Sequence, residues 1–271
     1  MGGRLRVDSR AAGVSADGLA VAAGDSPLSD LVAEADRVLR ASQARGLAIR
    51  LLGGLAVRRL CPSAAEPPLS RAYADLDLVT TGETPTKAMN RFMTELGYQS
   101  HDSFNALHGD RRLYYFDQVN DRHVDVFVDS FRMCHVLDLR HRVTLHPETL
   151  TPTDLLLTKL QVVQLNHKDV VDLLALLHDQ PINDGSAQSI DPAYLEELWS
   201  ADWPLWRTCG DTIGKIRASA RELLDESATS IVLAKVSRLE AVHAAGRRTL
   251  AWRIRSRVGD RIRWYELPEE V

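Results

Sequence analysis

Apolar positions recur three and four apart at Leu28, Leu31, Val32, Ala35, Val38 and Leu39, which predicts an amphipathic helix capped by Ser26 or Ser29 and stopped at Gly46. A short apolar run, Leu47–Leu52, then meets Gly53-Gly54 and a second helical stretch to about Cys61. Three prolines make residues 62–69 a loop. From Tyr73 to Thr80 the pattern changes to strict alternation, the mark of a strand, with Asp75 and Asp77 on one side and Leu76 and Leu78 on the other. A helix is expected from Pro85 to about Gly97, followed by two strands, Arg112–Asp117 and His123–Asp129, joined as a hairpin.

The period changes again at Thr151-Pro152-Thr153-Asp154, which combines a capping threonine, a first-turn proline and an acid three residues on. Leu155, Leu156, Leu160, Val163 and Gln164 continue at helical spacing to a break at Asn166-His167, and a further helix runs from Lys168 to about His178. A polar linker covers 179–192, and everything beyond it to Gly259 reads as helix, ahead of an acidic tail. The class is therefore α+β: a flexible leader (1–26), a strand-containing core (27–150) and a helical C-terminal region (151–271).

Composition narrows the class of function. The 271 residues are 45% hydrophobic and 26% charged, the balance of a globular chain, and no apolar run reaches the ~18 residues that span a bilayer. No membrane partner is expected. Three cysteines without a C-x-x-C pair exclude a disulfide framework and place the expectation in the cytoplasm. The net charge of −4 is unevenly spread. Residues 241–271 carry seven arginines against four acids, while the first 240 residues have 26 basic groups against 33 acidic ones. Arg253, Arg255 and Arg257 are thus candidates for phosphate contacts, on a helix whose Leu250, Ile254 and Val258 form one apolar stripe expected to dock on the body.

Three pieces carry candidate chemistry. A Gly-Gly pair between strand and helix lets backbone N–H groups approach a phosphate closely, although most such pairs are only tight turns. Asp75-x-Asp77 puts two carboxylates on one strand face, suited to Mg²⁺ although solvated acids on an open sheet share the pattern. Asp125, on a later strand, adds a third acid and Asp129 is its reserve. Together they fit a site for two divalent ions. Lys159, beside the helix break, is placed to meet a triphosphate as a point charge. There is no H-E-x-x-H, G-x-S-x-G or P-loop motif.

This order of motifs resembles the nucleotidyltransferase superfamily that includes DNA polymerase β, and within it the AbiEii-type toxin branch. The match lies in Gly53, Gly54, Arg71, Asp75, Asp77 and Asp125, then Lys159 in Leu-Thr-Lys-Leu and the stretch Lys168-Asp169-Val-Val-Asp172-Leu173. It spans roughly residues 45–178. Two features depart from the branch: twenty residues separate Gly54 from Asp75, and Tyr73 stands where a small hydroxyl residue is usual. The resemblance implies a polymerase β-like fold in which Asp75, Asp77 and Asp125 hold two Mg²⁺ (or Mn²⁺). Gly53, Gly54, Arg71, Lys159, Lys168, Asp169 and Asp172 would serve the nucleotide. The implied reaction moves an NMP from an NTP, ATP among them, to an acceptor hydroxyl with release of pyrophosphate. The acceptor implied is RNA, such as a tRNA 3′ end, with a cognate antitoxin as partner. The alternatives are a small-molecule (antibiotic) nucleotidyltransferase and a catalytically silent binding protein of the same fold.

Overall fold

A computed structural model of the chain describes residues 26–183 and 185–267, so the leader expectation lies almost wholly outside the described residues. The chain forms α1 (Leu31–Ala44), β1 (Arg50–Leu51), α2 (Gly53–Leu60), β2 (Leu76–Thr80), α3 (Thr86–Glu95), β3 (Gln99–Ser100) and α4 (Asp102–His108). It continues through β4 (Arg112–Asp117), β5 (Arg122–Val128), β6 (Ser130–Arg132), β7 (Val136–Asp138), α5 (Pro152–Leu160) and α6 (His167–Asp179). Four helices follow: α7 (Pro192–Ala201), α8 (Trp203–Leu223), α9 (Glu226–Ala244) and α10 (Leu250–Val258). The architecture is α+β, with a small mixed sheet and a helical C-terminal part.

The sheet runs β1-β2-β5-β4-β3. Only β2 and β5 are parallel; every other pair is antiparallel. Alternation gives this sheet two unlike faces. Leu76, Leu78, Leu113, Tyr115, Val124 and Val126 are fully buried on one, while Asp77, Tyr114, Phe116, His123 and Asp125 stand on the other, where solvent reaches.

Several boundaries differ from the sequence reading. Asp30, not Ser26 or Ser29, caps α1, because its carboxylate accepts from the Ala33 N–H. Helix α5 stops at Leu160, and Asn166 caps α6 by accepting from Asp169 N. Strand β2 starts at Leu76, so Asp75 lies one residue outside it and is exposed. The hairpin β6–β7 and the short helix α4 had no clear period to announce them.

Helix α6 is apolar around most of its circumference, with Val171, Leu173, Leu174, Ala175, Leu176 and Leu177 all buried. It packs on α2 and α5 on one side and on α8 and α9 on the other. A single buried cluster therefore extends from Ala35 on α1 to Leu239 on α9. Among the described residues no helix is long and apolar enough to cross a membrane.

Candidate active site

Strand β1 ends at the glycine pair. Gly53 has φ +66°, which a β-carbon would strain, and opens α2 with no side-chain cap at Leu52. Both glycines also sit against neighbouring side chains that a Cβ would displace. A Cβ on Gly53 would overlap the Asp77 carboxylate, and one on Gly54 would overlap the Arg71 guanidinium. The turn is thus the floor on which an acid and a cation both rest.

In the parallel pairing of β2 with β5, Asp77 is the direct register partner of Asp125. Two carboxylates side by side on one face repel. Burial, then the charge of Asp125, pushes the Asp77 carboxyl up from 3.8 to about 7, against the pull of Lys159 and Arg112. Arg112, on the neighbouring β4, donates from Nε to Asp125 Oδ1 at 2.7 Å. Asp75, exposed just before β2, adds to the negative field felt by Asp77.

The basic groups arrive from the other direction. Arg71 donates from Nε and Nη2 to the two oxygens of Asp172 at 2.8 and 2.9 Å, a bidentate pair. Its guanidinium also lies 4.5 Å over the Tyr73 ring, so that tyrosine is the platform for Arg71. The Tyr73 hydroxyl is buried and has no hydrogen-bond partner. Lys159 Nζ donates to Asp169 Oδ1 at 2.7 Å and lies 3.1 Å from Asp172 Oδ2. Burial alone would lower the Lys159 pKa, but Asp172 and Asp169 carry it above the ordinary value. Two buried aspartates in the first two turns of α6 thus hold both cations.

Of the residues singled out in the sequence, Gly53, Gly54, Arg71, Asp77, Asp125, Lys159, Asp169 and Asp172 join one continuous constellation, with Asp75 at its edge. Lys168 does not join it. It is exposed on the outer side of α6, because the helical turn that aims Asp169 and Asp172 inward points Lys168 to solvent. Asp129 is not a reserve ligand: it has left β5 with φ +55°, and its Oδ1 accepts from Gly82 N at 2.8 Å, closing a turn. Arg112 was missed, although the antiparallel hairpin that brings it to Asp125 was legible.

The C-terminal arm requires a larger correction. Leu250 and Ile254 are 67% and 56% exposed, so the aliphatic stripe of α10 does not dock. Aromatic and guanidinium surfaces dock instead. Trp252 packs 5.1 Å from Trp206, and the Arg255 guanidinium sits 4.5 Å over Trp203 while donating to Gly259 O at 2.8 Å. Broad flat groups gain more contact than three aliphatic side chains, and they set the helix's rotation. Arg255 is thus spent inside the fold, whereas Arg253 and Arg257 are exposed.

Among the described residues no group of three His, Cys, Asp or Glu stands ready to clasp an ion by itself. Mg²⁺ seldom uses such a cage; it is held by one or two carboxylates plus substrate phosphates and water. The Asp77–Asp125 pair, two carboxylates adjacent in register with a single arginine donating to Asp125, fits that role. No protein-family model matches the chain, and no curated protein matches it significantly.

Proposed function

We infer that the chain is a metal-dependent nucleotidyltransferase of polymerase β-like fold. One observation carries the reading: the carboxylate of Asp77 occupies the space left by the missing Cβ of Gly53, so an acid pair and a glycine turn at a helix N-terminus share one corner. The α2 N-terminus and the backbone of Gly53-Gly54 receive the triphosphate. Lys159 and Arg71 offset its charge, held in place by Asp169 and Asp172. Asp77 and Asp125, with Asp75, would hold Mg²⁺, which supplies charge neutralisation at the reacting phosphate and the departing pyrophosphate. The acceptor oxygen forms a bond to the α-phosphorus while the bond from that phosphorus to the bridging oxygen breaks, and pyrophosphate leaves. Asp125, the member of the pair that Arg112 holds, orients the acceptor hydroxyl and receives its proton.

The test is incubation with each α-labelled NTP, Mg²⁺ and total RNA, with Asp125→Asn as control. Label should pass to a macromolecule with wild type alone, and equal labelling by the variant would sink the assignment.

A further inference from the structure

The open face of the sheet continues past Asp125 as a row of rings. Tyr114 on β4 is the register partner of Asp125, Phe116 pairs with His123, and Arg112 pairs with Phe127. Directly opposed residues share a face, so these side chains line up beside the acid pair. The Tyr114 ring centroid lies 5.4 Å from His123, 5.9 Å from His101 and 6.0 Å from Phe104, and His123 lies 5.4 Å from Phe116. These rings are half-buried or exposed, unlike the sealed opposite face. Along the same edge a groove of about 330 Å³ runs between Phe104, Phe127, Arg111 and Arg132. Arg111 is exposed at its rim, and Arg132 pairs with the surface carboxylate of Glu266 at 3.0 Å.

Tyr114 is packed by Phe104 and His101 at α4, while Phe116 and His123 continue the row on the face that solvent reaches, where rings are available to a partner. Aromatic faces recognise flat π systems, and guanidinium groups at the rim recognise anions spaced along them. Unstacked bases on a phosphate backbone carry both features. A duplex hides its base faces, and a polycationic sugar would be repelled by the arginines. We propose that this surface is a shelf for unpaired bases of single-stranded nucleic acid, delivering the strand's end to Asp125. The shelf rests on the nucleotidyl-transfer reading only for which group it presents to the acids. It also moves the nucleic-acid interface from the α10 arginines to the sheet.

The test measures binding of a fluorescent ten-nucleotide single-stranded RNA, without NTP or metal, beside a duplex of equal length. The single strand should bind more tightly than the duplex. Phe104→Leu and Phe116→Leu keep apolar bulk but remove a ring, and each should weaken binding about ten-fold, the loss of one base stack. Arg111→Gln should reduce the salt slope by about one. Unchanged far-UV circular dichroism verifies the fold of each variant, and affinity for a fluorescent NTP should stay the same. Two results overturn the shelf: a duplex that binds as tightly, or a Phe104→Leu/Phe116→Leu protein that binds the strand within two-fold of wild type. Strand binding that needs the rings, in a protein that turns over no NTP, would support the shelf and reject nucleotidyl transfer instead.

Discussion

Two pairs of aspartates define the candidate site, and they are built on opposite principles. Asp172 is 2% exposed and meets a bidentate arginine and a lysine, with Asp169 sharing the lysine. Asp77 faces Asp125 across a parallel ladder, and Arg112 reaches Asp125 alone. The first pair is saturated with cations; the second is short of positive charge and holds a proton up to about pH 7. Saturation builds a scaffold, and a deficit leaves affinity for a cation that the chain itself does not supply. The same residue type therefore serves architecture in α6 and leaves an acid pair short of cations on β2 and β5.

Substitution of Asp77 breaks this contrast most sharply. Asp77→Asn should cut nucleotidyl transfer by several orders of magnitude, measured as label incorporated per minute. The same variant should melt higher than wild type in metal-free buffer at pH 8. Between pH 4 and 7 the folded chain keeps a proton that the unfolded chain has released, so wild-type stability falls as pH rises through that window. The stability gain should fade below pH 4, where both states are protonated. A variant that loses activity and stability together would place Asp77 with the scaffold.

Asp172→Ala should do the reverse, destabilising the fold by about 3 kcal/mol because Arg71 and Lys159 lose their buried partner. The midpoint of urea unfolding reads this directly, and a shift under 1 kcal/mol would deny the saturated pair its structural role. Gly54→Ala should have a smaller effect: displacement of Arg71 should raise the KM for NTP several-fold with little change in melting temperature. Smallest of all, Arg253→Gln/Arg257→Gln should alter RNA affinity by less than two-fold, since these exposed groups sit on α10, away from the sheet. A ten-fold loss would return the interface to the C-terminal arm.

Much of this site was legible because its signals are local. Gly53-Gly54, Asp77 and Asp125 follow from where alternation and helical period begin and end, and the TPTD start of α5 is self-contained. Features set by tertiary packing were not. Arg112 reaches Asp125 only through strand register, and Lys168 differs from Asp169 only by 100° of helical rotation. Aliphatic periodicity predicts the wrong docking face for α10, because the ring surfaces of Trp203, Trp206 and Trp252 set its rotation instead. Asp129 fits the alternation of β5 but belongs to the turn beyond it.

Strand β1, which carries the glycine floor, is clamped from far along the chain: Leu51 N donates to Glu148 O at 2.8 Å, and Leu150 N donates back to Leu51 O at 3.0 Å. Arg71 is secured later still, by Asp172. Synthesis proceeds from the N-terminus, so the parts of the glycine corner emerge from the ribosome long before the parts that lock it. No nascent chain ending before α6 can hold Arg71 over Gly54 or Lys159 beside it. On the proposed reading, activity would arise in one late step of synthesis, and a prematurely terminated copy would be inert rather than partly active.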